Sequence, residues 1–261
     1  MQPVDVGSGD PIVVIPGIQG RWEWGKFTVD ALARRCRVIT GSLPGEPGVP
    51  RADGQPGFDQ FLPYVDRLFD ESGIGRAVLC GISFGGLIAL RYAARRPARV
   101  RALVLVSTPG PRWEPSARQA AYIRRPLLSS PAFVVGAAYR GWTELRTTLP
   151  SLDARLRFCA GWTLQLAKAP AMPWRMSQRA RLALSDHSER DCDQIEVPTL
   201  VVAGEKTLDG VVSQADTMRY VHLIKDAQFR VLERTGHMGT ITAPARFADI
   251  VGTFMENLPR S

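Results

Sequence analysis

Residues 76–92 read RAVLCGISFGGLIALRY, and they predict a strand, a tight turn and a helix in that order. The turn has the pattern Gly-x-Ser-x-Gly, in which a sharp strand-to-helix turn presents a serine above a sheet. Such a turn holds Ser83 in strained backbone geometry and leaves no room for side chains two residues to either side, where Gly81 and Gly85 stand. Free N–H groups at the start of the helix favour developing negative charge there. We therefore predict that Ser83 is a nucleophile.

Strands and helices alternate on both sides of this turn. Short apolar runs alternating with amphipathic segments are typical of a parallel sheet that is covered on both faces. The sequence therefore predicts an α/β fold with a doubly wound, mostly parallel sheet. The predicted strands are 12–16, 37–40, 76–80, 100–106, 198–202 and 228–232, and the predicted helices are 26–35, 58–71, 84–95, 212–224 and 243–257.

The alternation stops in the middle of the chain. Residues 112–194 have helical periodicity, prolines at intervals and no convincing strand. This pattern predicts a helical cap inserted into the α/β core, so that the core comprises residues 1–111 and 195–261.

A serine hydroxyl needs a base to become a nucleophile, and the base needs a carboxylate to orient it. His237 directly follows the predicted strand 228–232 and lies in a glycine-flanked loop. The other two histidines are poorly placed, because His187 lies in the insertion and His222 lies at a predicted helix end. We predict that His237 is the base.

Two carboxylates follow the predicted strand that ends near residue 203. Glu205 comes immediately after the strand, where a carboxylate more often bonds to its own loop. Asp209 lies beside Gly210 at the tip of the loop, from which it can reach inward. We favour Asp209 as the acid and keep Glu205 as the alternative.

The oxyanion that forms during acyl transfer needs two preorganised N–H donors. One expected donor is Phe84, the residue after the nucleophile, and the other is Ile18, in the Gly/Pro-rich loop after the first core strand. Residues that contact the substrate are not fixed by any pattern, and for the tryptophans of the first loop and the insertion packing of a helical lid is favoured over pocket lining. The candidates are Gln19, Trp22, Trp24 and Trp142.

The net charge of +8 is concentrated in one part of the 261-residue chain. Residues 112–190 contain 13 Lys/Arg and 5 Asp/Glu, whereas the rest of the chain is neutral. The arginines are scattered through an apolar helical pattern, which favours a solvated basic face over a nucleic-acid site. We expect no nucleic-acid partner.

Cysteine and histidine usage gives no sign of a metal or a cofactor. The four cysteines have no Cys-x-x-Cys spacing, which is typical of free thiols in a reducing cytoplasm. The amino terminus lacks the features of a signal peptide, and the apolar stretches are too short to span a membrane. We expect a cytoplasmic protein that acts on a small molecule without a cofactor, and the sequence leaves its oligomeric state open.

The core residues resemble the α/β-hydrolase family, specifically small bacterial carboxylesterases, enol-lactonases and carbon–carbon bond hydrolases with a helical cap. The resemblance implies Ser83 as nucleophile, His237 as base and Asp209 as acid, with Phe84 and Ile18 as oxyanion donors. Members usually have His-Gly after the first core strand, where this chain has Pro-Gly, and their acid loop is two residues shorter. The antiparallel edge strands of larger members are expected to be shortened or absent. The resemblance covers residues 11–111 and 195–257 and rests on Pro16–Gly20, Gly81–Gly86, Pro198–Asp209 and Gly236-His237.

The predicted reaction is acyl transfer to water from an ester, thioester or lactone of a small, largely apolar substrate. A serine nucleophile argues against the dehalogenase and epoxide-hydrolase branches, which use aspartate at this position. Two alternatives stay open. A carbon–carbon bond hydrolase or an acyltransferase would use the same triad, and a ligand receptor on the same fold would use none.

Overall fold

The computed structural model describes residues 2–52, 56–185 and 189–259. Within those residues seven strands form one sheet in the order β1-β3-β2-β4-β5-β6-β7. All neighbouring strands are parallel except β1 and β3. This confirms the predicted α/β fold with a mostly parallel sheet. The strands are β1 Val4–Val6, β2 Pro11–Ile15, β3 Arg37–Thr40, β4 Ala77–Ile82, β5 Val100–Val106, β6 Thr199–Gly204 and β7 Ala227–Leu232.

Helices cover both faces of the sheet. One face packs against α1 and α11, and the other packs against α2, α3 and α9. The helices are α1 Lys26–Leu32, α2 Leu62–Glu71, α3 Phe84–Arg95, α4 Ala117–Arg124, α5 Pro126–Thr148, α6 Leu152–Lys168, α7 Pro173–Leu184, α8 Glu189–Cys192, α9 Gln214–Leu223, α10 Gly239–Thr242 and α11 Pro244–Glu256.

Strand β2 shows why an unbroken apolar run suits a central parallel strand. Ile12 and Val14 face the α1/α11 side, whereas Val13 and Ile15 face the α2/α3 side. Successive side chains of a strand point to opposite faces, so burial on both sides requires apolar residues at every position.

Between β5 and β6 the described residues contain α4 to α8 and no strand. The helical character predicted for 112–194 is therefore present, and the boundaries of a cap stay a prediction. None of the described helices is long and apolar enough to cross a membrane.

The structure differs from the sequence-based assignment at the edge strand. β1 has only three residues, two of them exposed, and it lacks an apolar run that would predict a strand. It pairs antiparallel with β3, and Arg37 forms an ion pair with Asp5 across the two strands. One short antiparallel edge strand is thus present, within the range that the resemblance implied.

The predicted helix 58–71 is also divided. A 3₁₀ turn at Gly57–Phe61 precedes α2. Gly73 follows α2 with φ 65°, and the next amide, that of Ile74, donates to the carbonyl of Phe69 at 2.9 Å. This geometry is typical of a glycine that ends a helix.

Candidate active site

Ser83 occupies the turn between β4 and α3. Its backbone has φ 53° and ψ −119°, and its amide donates to the carbonyl of Val106 at 2.7 Å. A Cβ atom at Gly81 would lie 2.3 Å from the carbonyl oxygen of Gly85, so this turn requires glycine at position 81. The strained geometry that Gly-x-Ser-x-Gly predicts is therefore present, and it presents the hydroxyl at the carboxyl edge of the sheet.

His237 follows β7 and contacts two of the predicted site residues. Its Nε2 lies 3.1 Å from Ser83 Oγ, and its Nδ1 lies 3.2 Å from Asp209 Oδ2. A carboxylate only accepts hydrogen bonds, so Nδ1 carries the proton and Nε2 is left to accept from the serine hydroxyl. The structure thus brings Ser83, His237 and Asp209 together as one hydrogen-bonded chain.

The second oxygen of Asp209 is fixed by its own loop. Oδ1 accepts from the amides of Val211 at 2.9 Å and Val212 at 3.0 Å, and the side chain is only 3% exposed. With Oδ1 held in this way, Oδ2 is aimed at His237. The length of the loop after β6 therefore does not keep the carboxylate from the imidazole.

Glu205 has a different role in the structure. Its Oε1 accepts from the amide of Arg234 at 2.5 Å, and its own amide donates to the carbonyl of Thr235 at 2.8 Å. Glu205 therefore joins the loop after β6 to the loop after β7 and does not approach the imidazole of His237. Of the other histidines, His222 lies in α9, and His187 lies outside the described residues.

The charges around His237 change its acid–base properties. Burial lowers the pKa of His237, but the charge and hydrogen bond of Asp209 and the charge of Glu144 outweigh burial and leave the pKa above its usual value, against an opposing effect of Arg140. Burial raises the pKa of Asp209, yet the charge and hydrogen bond of His237 and two backbone amides hold it below its usual value. The pair is thus arranged for a neutral imidazole that gains a proton readily.

The predicted oxyanion donors belong to the two segments that flank Ser83. Phe84 is the first residue of α3. Ile18 lies in the loop after β2, and a Cβ atom at its neighbour Gly17 would lie 3.7 Å from Ser83 Cβ. The structure therefore brings both segments to the nucleophile.

The sequence model of a protein family described as the alpha/beta hydrolase fold matches residues 10–244. The chain belongs to this family. It is 27% identical over 257 residues to a 2-hydroxy-6-oxo-2,4-heptadienoate hydrolase of Pseudomonas putida, covering 96% of this chain and 91% of the relative. It is 29% identical over 271 residues to a 2-hydroxymuconate semialdehyde hydrolase of Pseudomonas sp. (strain CF600), covering 96% and 88%. The solved structure of an esterase from Exiguobacterium antarcticum has a TM-score of 0.78 at 17% identity, covering 98% and 95%.

In this α/β hydrolase a buried ion pair supports the loop that carries Ile18. Arg179 of α7 contacts Glu46 at 2.7 Å, and their side chains are 7% and 0% exposed. The same guanidinium donates to the carbonyl of Ile18 at 3.0 Å. This pair was not predicted from the sequence, in which its only signal is one acidic residue in the otherwise uncharged stretch 41–50.

A second buried charge, Glu144 of α5, contacts the loop that carries His237. Glu144 was not predicted from the sequence either. The only sequence signal is that Glu144 is the single carboxylate of the 23-residue helix α5.

The side chains of Trp22 and Trp24 pack against other parts of the hydrolase. The indole N–H of Trp24 donates to the carbonyl of Ala169 at 2.8 Å, and its ring meets Trp162 edge to face with centroids 5.8 Å apart. Trp22 packs against the sheet face that α1 and α11 cover. These contacts join the loop after β2 to the helical insertion.

The two other pocket candidates of this hydrolase lie in different places. Gln19 is near the nucleophile, since a Cβ atom at Gly17 would lie 3.2 Å from its Oε1. Trp142 is 42% exposed, and the guanidinium of Arg155 lies 5.9 Å from its ring centre. Gln19 therefore belongs to the loop that approaches Ser83, and its Oε1 lies beside Gly17 of that loop.

The four cysteines carry thiols, as expected, and three of them, Cys36, Cys80 and Cys192, are buried. Burial raises the pKa of the Cys36 thiol to about 11 and that of Cys192 to about 12, so both stay protonated and weakly nucleophilic. In the part of the chain that the structure describes, no group of three or more His, Cys, Asp or Glu residues is placed to hold a metal ion.

Proposed function

We propose that this α/β hydrolase is a serine hydrolase that transfers the acyl group of a small ester, thioester or lactone to water. The observation that supports this most is the hydrogen-bonded chain from Ser83 through His237 to Asp209, which begins at a serine with φ 53°. A nucleophile, a base and an orienting carboxylate in this order are what acyl transfer requires.

In the first step His237 Nε2 accepts the proton of Ser83 Oγ while the oxygen attacks the substrate carbonyl. The carbonyl oxygen becomes an oxyanion, which the amides of Phe84 and Ile18 stabilise. The imidazolium that forms is stabilised by Asp209, whose charge already favours the protonated ring.

In the second step the imidazolium donates its proton to the leaving group, which departs and leaves an acyl-enzyme on Ser83. Water then enters, His237 accepts one of its protons, and the hydroxide adds to the acyl carbon. Collapse of this second intermediate releases the carboxylic acid and returns the proton to Ser83. No step of this proposed reaction uses a metal or a cofactor.

Labelling with a fluorophosphonate probe, followed by a p-nitrophenyl ester chain-length series, tests this function. We expect the wild type to be labelled and Ser83→Ala not to be. Ser107→Ala is the matched control, because Ser107 also has a positive φ of 44° at the end of a neighbouring strand, and this variant should still be labelled. Equal labelling of pure wild type and Ser83→Ala protein would exclude Ser83 as the nucleophile.

A second candidate is hydrolysis of a carbon–carbon bond by the same triad. It is supported by the two relatives that match 96% of this chain, whose names are those of hydrolases acting on an oxo-dienoate and on a muconate semialdehyde. Comparing kcat/KM for 2-hydroxy-6-oxo-2,4-heptadienoate with that for p-nitrophenyl esters distinguishes the candidates. A ratio well above one would favour carbon–carbon cleavage, and loss of both activities in Ser83→Ala would assign them to one site.

A further inference from the structure

Glu144 is a buried carboxylate that reaches the histidine loop from the helical insertion. It lies in α5, is 3% exposed, and sits 94 residues from its partner Met238 in the sequence. Glu144 Oε2 accepts from the amide of Met238 at 3.1 Å, and Oε1 accepts from the hydroxyl of Thr242 at 2.8 Å. The backbone of Gly236 also donates to this carboxylate.

The two backbone donors stand on either side of His237. Glu144 therefore binds the amide before and the amide after the residue proposed as the base. The approach is close, because a Cβ atom at Gly236 would lie 2.8 Å from Glu144 Oε2. A buried carboxylate that accepts three hydrogen bonds holds its partners in one geometry, since losing any bond would leave a buried polar group unsatisfied.

We propose that Glu144 is a positioning residue for the acid–base step: its carboxylate fixes the backbone on both sides of His237, and its charge stabilises the imidazolium that forms when Ser83 loses its proton. This role rests on the proposed function. It gives the helical insertion a part in the chemistry besides covering the substrate.

The charges that face His237 come from two elements. Asp209, in the loop after β6, bonds to Nδ1, and α5 contributes Glu144 and Arg140. Burial lowers the pKa of the imidazole, the two carboxylates raise it, and Arg140 lowers it. Arg140 is itself next to Arg118 of α4. Burial raises the pKa of Glu144, and its three hydrogen bonds and the charge of His237 oppose this effect but leave the pKa above its usual value.

The last turn of α5 also bonds to the histidine loop, but without a carboxylate. The hydroxyl of Thr148 donates to the carbonyl of Arg234 at 2.7 Å, and the guanidinium of Arg234 donates to the carbonyl of Thr147 at 2.8 Å. Thr148 therefore offers a matched control, because it joins the same helix to the same loop without a charge.

The test compares Glu144→Gln, Glu144→Asp and Thr148→Val in the full-length protein. The glutamine keeps the shape but lacks the charge, and its amide nitrogen can only donate, so one of the two acceptor atoms of the carboxylate is lost. We expect kcat for an ester to fall by about 10- to 100-fold with little change in KM, because the base is displaced while the substrate pocket is kept. Thr148→Val should lower stability with a much smaller loss of kcat.

The pH profile separates the effect of the Glu144 charge from the effect of attaching α5 to the histidine loop. His237 accepts a proton only when neutral, so kcat/KM falls as the pH drops through the pKa of His237. Removing a neighbouring negative charge lowers that pKa, so Glu144→Gln should keep its activity to a lower pH than the wild type. Glu144→Asp should keep the wild-type profile with a reduced kcat, and Thr148→Val should leave the profile unchanged.

An NMR titration of the imidazole provides a readout that needs no substrate, and with only three histidines in the chain the signals can be assigned by substitution. We expect His237 to titrate at lower pH in Glu144→Gln than in the wild type. An unmoved titration, or a Glu144→Gln variant that differs from the wild type only as Thr148→Val does, would overturn the role of Glu144. A wild type that no fluorophosphonate labels would instead overturn the proposed function, and this role with it.

Discussion

At the scale of single residues, the backbone conformation of Ser83 is strained for any residue with a Cβ atom, whereas glycine adopts it without strain. We expect Ser83→Ala and Ser83→Gly to lower kcat/KM by about 10³-fold or more, because both remove the hydroxyl. Only the glycine relieves the strain, so Ser83→Gly should be about 1 kcal/mol more stable than Ser83→Ala. Urea unfolding measures the difference, and equal stabilities would contradict the strained turn.

The two carboxylates after β6 can be separated by removing one charge at a time. In Asp209→Asn the imidazole loses the partner that fixes its tautomer, and we expect kcat to fall on the order of 10³- to 10⁴-fold. Glu205→Gln removes a charge from the same loop but keeps an acceptor for the amide of Arg234, so kcat should change by less than about tenfold. Steady-state kinetics on both variants decides, and a larger loss in Glu205→Gln would identify Glu205 as the acid.

The positions of Ser83, His237 and Asp209 could be predicted because each carries a local signal. All three follow predicted strands, and the carboxyl ends of parallel strands meet at one edge of a sheet. No comparable sequence signal marks Glu144 or Arg179, because an individual charged residue of an amphipathic helix usually faces solvent. Their partners lie 94 and 133 residues away in the sequence, so only the tertiary fold reveals that they are buried.

At the scale of elements, α7 is joined to the loop after β2 and to the stretch 41–50 by one guanidinium. Arg179→Met leaves Glu46 buried without its closest partner, which should lower the free energy of unfolding by about 3 kcal/mol. The double variant Arg179→Met/Glu46→Leu removes both charges and should recover most of that stability.

Activity should not recover with stability in the double variant. The carbonyl of Ile18 still lacks the hydrogen bond from Arg179, so the loop that carries this proposed oxyanion donor stays loosely held and kcat stays reduced. Arg175→Met is the control, since Arg175 is 3.4 Å from Glu46 and 25% exposed, and its loss should matter less. Chemical denaturation and ester kinetics on the same preparations test both expectations. A double variant with full activity would contradict a positioning effect on Ile18.

The elements themselves could be predicted where apolar periodicity was strong. The central strands and the helices α2, α3 and α11 all appear near their predicted positions, because their burial depends on local patterns. β1 could not be predicted, since its three residues, two of them exposed, have no such pattern and are held by pairing with β3. How α5 and α7 dock against the core could not be predicted either, because it depends on buried charges from distant segments.

At the scale of the whole molecule, the basic residues of the insertion lie partly next to the proposed site. A Cβ atom at Gly136 would lie within 3.6 Å of Nη1 of both Arg118 and Arg140, and one at Gly210, beside Asp209, would lie 3.0 Å from Cδ of Arg140. We expect kcat/KM for a carboxylate-bearing ester to fall as salt rises from about 20 mM to 500 mM, because screening weakens the attraction. A neutral ester of similar size should hardly respond.

Steady-state kinetics with the two esters at each salt concentration measures this attraction. Arg118→Gln should reduce the salt response of the charged ester without changing kcat for the neutral ester. Arg118 suits this purpose, because it is exposed and belongs to α4 rather than to the segments that carry the triad. Equal salt responses of the two esters would assign the basic insertion to surface composition alone.

The contacts of Glu144 and Arg179 also bear on how such enzymes diversify. A segment that only covered a pocket could be exchanged as a unit between related proteins. Each new segment would then confer a new substrate specificity. Here the foreign segment would have to bring a carboxylate to the amides beside His237 and a guanidinium to Glu46. Recombination at the ends of the insertion should therefore yield active chimeras only when the incoming segment carries the equivalents of both Glu144 and Arg179. A specificity that the insertion confers is then inherited together with its contacts to the core.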